Sequence, residues 1–256
     1  MRADLILSTA TLLGFLLTLA RVSGVFVFVP IPGMGSQSNS ARIVLALSIT
    51  VALYPYWPHP SGEVGGGLLA MWLVSEAALG IGMGLSVSFI IESFNVAGQI
   101  MGLQAGFAYA STIDPNSQAD SSVLVVFAEM ASGLIFFALG LHREVFRIFA
   151  RSMEVAPAGS FTLARGAGAQ LILMGGVMFS TAMRLAMPVV AVLLLVDISL
   201  ALLGRVNAQL QLLTIAFPVK MLVGLAVFSW LLLLAPVLLR SDASAAFRAV
   251  QSLTVR

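Results

Sequence analysis

The chain alternates long apolar runs with short polar or proline-rich joints. Six runs stand out, at about 5–28, 41–56, 68–106, 122–141, 166–203 and 214–239. A bilayer-crossing helix needs about 20 apolar residues. By that measure the second run is short, and the third and fifth are too long for one simple crossing. The joints have recognisable breakers. Pro30, Pro32 and Gly33 end the first run, Pro55, Pro58 and Pro60 the second, and Pro157 and Gly159 follow the fourth. Pro188 inside the fifth run predicts a kink. From Arg240 the sequence reads as a short, polar, basic tail.

The third run carries the most informative polar pattern. Ser88, Glu92, Asn95 and Gln99 recur at spacings of four, three and four, which puts them on one helical face. Lipid does not tolerate such a stripe, so it faces protein or lines a pore. Gly98, Gly102 and Gly106 form a small-residue ridge beside it, suited to close helix packing. The pattern then stops. Phe107–Ser111 is small and aromatic, and Asp114-Pro115-Asn116-Ser117 is turn chemistry, because proline disfavours a helical conformation in the residue before it. A polar, glycine-lined helix therefore runs into an uncharged loop with aromatic residues.

A second pattern follows the fourth run. Arg143, Arg147 and Arg151 fall on one face of an amphipathic helix, which reads as interfacial or as an extension of the fourth run. Charges also lie inside the apolar runs: Arg21, Glu76, Glu92, Glu129, Arg184, Asp197 and Lys220. Asp197 and Lys220 sit symmetrically about the joint between the fifth and sixth runs, so an antiparallel hairpin would let them meet as a charge pair.

Composition changes the picture only by fixing the class. With 256 residues, 59% hydrophobic and 9% charged, at a mean hydropathy of +1.03, the chain cannot cover a water-facing surface; soluble domains carry about 25% charged residues. It reads as an all-α integral membrane protein. The absence of Cys excludes thiolate metal sites and thiol nucleophiles. His59 and His142 are far apart, and no nucleotide-binding fingerprint is present, so no cofactor, metal or catalytic set is expected. The formal charge of +2 does not suggest nucleic acid binding. Glu76, Glu92, Arg184 and Asp197 leave an alternative open, a stand-alone secondary transporter, although no related halves with broken helices are visible.

Three stretches carry a resemblance. GQIMGLQAGFAYASTIDPNS, LGLHREVFRIFARSMEVAPAG and MRLAMPVVAVLLLVDISLALLGRVNAQLQLLTIAFPVKMLVGL, in that order, resemble the flagellar biosynthetic protein FliR family, which includes its injectisome counterpart. The resemblance covers nearly the whole chain. It implies a non-enzymatic subunit of the type III protein export gate: about six long, partly kinked hydrophobic helices packed into a helical hetero-oligomer. FliP-like and FliQ-like membrane subunits would be its partners, with an FlhB-like export switch protein nearby and unfolded export substrates in transit. Residues 1–165 would form a FliP-like part with a plug loop at about 103–118, and 166–256 a FliQ-like hairpin with a short tail.

The plug or gate residues implied are Leu103, Gln104, Gly106, Phe107, Tyr109, Asp114 and Pro115. The implied hairpin charge pair and cytoplasmic tip comprise Asp197, Arg205, Gln209, Pro218 and Lys220. The implied location is the bacterial inner membrane within the flagellar basal body. Counting basic residues by side puts the 205 region outside the cell, whereas the resemblance puts it inside.

Overall fold

The computed structural model describes residues 9–29, 39–58, 64–107, 123–157, 159, 167–206 and 212–254. All regular structure among them is helical: α1 (Thr9–Phe28), α2 (Asn39–Ala52), a 3-10 turn (Tyr54–Tyr56), α3 (Gly66–Ala105), α4 (Val123–Ala138), α5 (Leu141–Val155), α6 (Ala167–Val206), α7 (Leu212–Leu231) and α8 (Ala235–Thr254). Helix is the expected outcome for such runs, because it satisfies backbone polar groups without water. α1, α3 and α6 are each long and apolar enough to cross a membrane, and the number reaches five if the bent pairs α4–α5 and α7–α8 each form one span. α3 and α6 have 40 residues each, about 60 Å of helix against a hydrocarbon layer of about 30 Å.

The chain divides into two compact units, one formed by 1–89, 140–174 and 243–256, the other by 90–139 and 175–242. The expected division at 165/166 concerned likeness to two other subunits, which is a separate question from compactness.

In the first unit α1 and α3 meet through glycine. A Cβ added at Gly80 would lie 2.1 Å from the Arg21 carbonyl oxygen, and one at Gly84 2.5 Å from that of Val25. This backbone contact brings Arg21 of α1 against Glu76 of α3, both 0% exposed at the side chain. Arg21 Nε donates to Glu76 Oε2 at 2.5 Å. Its terminal nitrogens donate to the carbonyls of Ser152 (3.0 Å) and Ala156 (2.8 Å). These carbonyls belong to the C-terminal end of α5, where helical carbonyls lack internal partners and a cation is favoured. Glu76 Oε1 accepts the Gly159 N–H at 2.8 Å. Each charge is thus neutralised and hydrogen-bonded at the same time.

α5 is amphipathic as expected, but its apolar face turns inward. Ile148 and Phe149 pack with Val22, Val25, Leu79, Met83 and Val250. The interfacial reading therefore holds at most for the opposite side, where Arg143, Arg147 and Arg151 are exposed. Nor does α5 extend α4, since Gly140, at φ 69°, separates them.

In the second unit α3 packs on α4 at Gly98, where an added Cβ would stand 2.9 Å from Ala128 Cβ and 3.1 Å from the Leu124 carbonyl. Phe94, Ala97, Met101, Leu185, Phe228 and Leu231 line one small apolar cavity of about 10 Å³. α6 continues helically through Pro188. The sixth run departs from expectation. It breaks at 232–234, and the predicted polar tail is part of helix α8. Pro236 has no N–H to give to the Leu232 carbonyl, which accepts from Ala235 instead at 3.3 Å. Leu233 and Leu234 likewise bond three residues back.

Removing one member of a buried ion pair strands the other. Glu76→Ala should therefore cost about 3–5 kcal/mol of stability, and Arg21→Met with Glu76→Leu should restore most of it. Thermal unfolding in detergent reads both. A single variant that melts like the parent would count against the pair as a structural clamp.

Candidate functional site

The sequence nominates the end of α3 and the loop beyond it. α3 stops at Ala105 because Gly106 takes φ 87°, a left-handed conformation open to glycine. Phe107 N–H donates to the Gly102 carbonyl (3.0 Å) and Gly106 N–H to that of Leu103 (3.2 Å), the paired bonds of a glycine-terminated helix end. Phe217 of α7 covers this turn, since a Cβ on Gly106 would lie 3.0 Å from its ring. Gly224 of α7 lets Ala105 approach, with an added Cβ 3.3 Å from the Ala105 Cβ.

Two residues before Gly106 the same end is tied to α6. Gln104 Nε2 donates to Asp197 Oδ2 at 3.3 Å. Lys220 Nζ of α7 lies 2.9 Å from Asp197 Oδ1 and 3.0 Å from Oδ2. Asp197 thus joins three helices. The pair is partly exposed, at 40% for Asp197 and 16% for Lys220, so solvent weakens it and leaves it easier to separate than the fully buried Arg21–Glu76 pair. The structure brings Gln104, a residue of the implied loop, together with Asp197 and Lys220 of the implied hairpin, which sequence treated as separate groups.

The other nominated residues are placed as follows. Leu103 is 67% exposed, and Phe107 is half-buried. Arg205 is exposed in the last turn of α6, and Pro218 is exposed within α7. Tyr109, Asp114, Pro115 and Gln209 lie outside the described residues. Along the stripe Ser88, Glu92 and Asn95 are half-buried and Gln99 is exposed. The Asn95 side-chain oxygen is buried without a hydrogen-bond partner among the described residues.

Sequence reasoning missed Phe217 and Gly224. Their spacing with Lys220, three and then four residues, marks one face of α7 and was a readable signal. It also missed Asp242, half-buried on α8 with Thr181 and Arg184 of α6 in its surroundings. Of the embedded charges proposed for a transport path, Glu76 has Arg21 and Asp197 has Lys220 as ion-pair partners. Among the described residues no group of three His, Cys, Asp or Glu could hold a metal ion. The arrangement around Asp197 is a clasp on a helix end, chemically suited to holding and releasing.

An all-helical chain of long apolar helices, with ionic clasps inside it, defines a class of membrane-embedded helical proteins. Within that class the description of the bacterial export proteins, family 1, matches residues 12–244, and the chain belongs to that family. It is 30% identical over 220 residues to the flagellar biosynthetic protein FliR of Escherichia coli (strain K12), covering 85% of this chain and 84% of the relative. The surface presentation of antigens protein SpaR of Salmonella typhimurium is 28% identical over 86% of this chain and 82% of its own. FliR of Bacillus subtilis is 25% identical, with 82% of each chain covered.

Gly106→Ala forces an L-residue into a left-handed turn beneath Phe217. It should lower stability by roughly 1–2 kcal/mol, seen as a lower melting temperature in detergent. An unchanged melting temperature would mean the turn is not held in this conformation.

Proposed function

We propose that this chain is a non-enzymatic subunit of a type III protein export gate in the bacterial inner membrane, within the flagellar basal body. It would help form and plug the channel through which unfolded export substrates pass. Its partners would be FliP-like and FliQ-like membrane subunits, with an FlhB-like switch protein at the hairpin tip. Residues 1–165 would take the FliP-like role and 166–256 the FliQ-like role. The family supports the export role, and relatives named FliR set the flagellar reading ahead of the injectisome one.

The observation that carries the plugging role is the clasp at the start of the 103–118 segment. A plug has to be held shut without substrate and released by it. The bonds from Gln104 to Asp197 and from Lys220 to Asp197 supply a hold that is partly hydrated and so reversible. Gly106 supplies a pivot next to it. Opening is then a two-state displacement, biased by whatever engages the open state more tightly.

Shortening the implied plug loop, Gly102–Asn116, should raise small-ion leak through the assembled gate, read as dissipation of membrane potential. Unchanged leak in a fully assembled gate would rule out the plug. Gentle solubilisation of the tagged chain from its native membrane should yield a discrete hetero-oligomer with two other small hydrophobic proteins. A stable monomer or homodimer would instead support a transporter.

A further inference from the structure

Arg21 lies well inside the 20-residue helix α1 and is 0% exposed, yet the groups that satisfy it are all made later. Glu76 stands 55 residues on, and the Ser152 and Ala156 carbonyls 131 and 135 residues on. Between Asp4 and Glu63 the sequence has no Asp or Glu. When α1 and α2 leave the ribosome, no carboxylate at membrane depth has yet been made to meet the guanidinium. Arg21 is about 10 Å of helix rise from the Phe28 end of α1, within the apolar sequence LLTLARVSGVFVF. A lone arginine so placed disfavours transfer into lipid.

α2 does not repair this. Its 14 residues make about 21 Å of helix, against a hydrocarbon layer of about 30 Å. It runs back along α1, with Arg42 Nη1 on the Val27 carbonyl at 3.0 Å at one end and Trp57 against Phe15 at the other. The Ser48 and Thr50 hydroxyls donate to carbonyls of α2 itself. α3 is different. It runs parallel to α1, since Gly24 meets Ala77 and Gly80, Gly80 meets Arg21, and Gly84 meets Val25. It is long and apolar enough to cross a membrane, and it brings a carboxylate to the level of Arg21. We infer that α1 does not settle across the membrane by itself. α1, α2 and α3 enter as one unit, and the pairing of Arg21 with Glu76 is the contact that admits α1. Arg21 is thus an ordering device for insertion as well as part of the clamp in the finished fold, and the end of α5 closes its site afterwards.

The test uses the full-length chain in its native membrane. The chain has no Cys, so Ser36→Cys, between α1 and α2, gives a single site for a membrane-impermeant maleimide. The reagent is applied from either side to chains made in a short isotopic pulse. The parent should label from one side only. Glu76→Leu makes α3 more apolar, so α3 itself still inserts, but Arg21 loses its partner. Labelling from the opposite side should then rise roughly fivefold or more over the parent's background. Arg21→Met takes the obstacle out of α1 and should keep one-sided labelling, although it strands Glu76 and lowers the melting temperature. Arg21→Met with Glu76→Leu should also label like the parent. A pair that acts only after insertion would leave the topology unmoved in every variant, so one-sided labelling of Glu76→Leu overturns the inference. Opposite-side labelling of Arg21→Met equal to that of Glu76→Leu also overturns it, because lost folding would then move the joint. Two-sided labelling of the parent overturns it as well.

Discussion

A guanidinium with no access to water is the constraint on which the first unit depends. Arg21 cannot be buried alone, because a lone charge in a low-dielectric interior is far too costly. It requires Glu76 from α3, two carbonyls from the end of α5, and the close helix contact that brings them within reach. That contact exists only because residue 80 has no side chain to collide with the Arg21 backbone. Ion pair, helix end and glycine seam are therefore one arrangement. Apolar packing of Val22, Val25, Met83 and Phe149 adds stabilisation around it, but apolar contacts in a membrane setting are weakly directional. The ionic clamp fixes which residues face each other.

The second unit uses the same chemistry at lower strength. Asp197 and Lys220 pair where solvent still reaches them, and Gln104 adds a neutral hydrogen bond. A dry, fully satisfied pair suits a scaffold, and a partly wet pair at the end of a helix suits a part that moves. Both arise from single charged residues set in apolar helices, and the degree of burial separates their roles.

Much of the fold was legible as sequence, because apolar runs and their breakers are local signals. The two over-long runs became the 40-residue helices α3 and α6. Gly98 was readable as a packing position from its spacing, and Asp197 with Lys220 as a possible meeting from symmetry. What stayed hidden was tertiary. Nothing in the neighbourhood of Arg21 announces a partner 55 residues away. The inward turn of α5 depends on what packs against it, and an amphipathic pattern is the same whether its apolar side meets lipid or protein. The break before α8 had a local cause in Pro236, but a proline near the start of a new helix and one inside a continuing run look alike until the bend is seen.

The length of α6 has a consequence for the life of the chain in the cell. Large apolar side chains are exposed near its start, at Ile172 and Leu173, and again near its end, at Leu202, Leu203 and Val206. About 50 Å of helix rise separates these groups. Even at a tilt of about 40°, a hydrocarbon layer about 30 Å thick shelters only about 40 Å of helix. In any straight crossing, one group protrudes as bare apolar surface until another protein covers it. A newly made chain in that condition is an orphan, open to aggregation and to the proteases that clear unassembled membrane proteins. Its abundance would then follow the supply of the proteins that cover it rather than its own rate of synthesis.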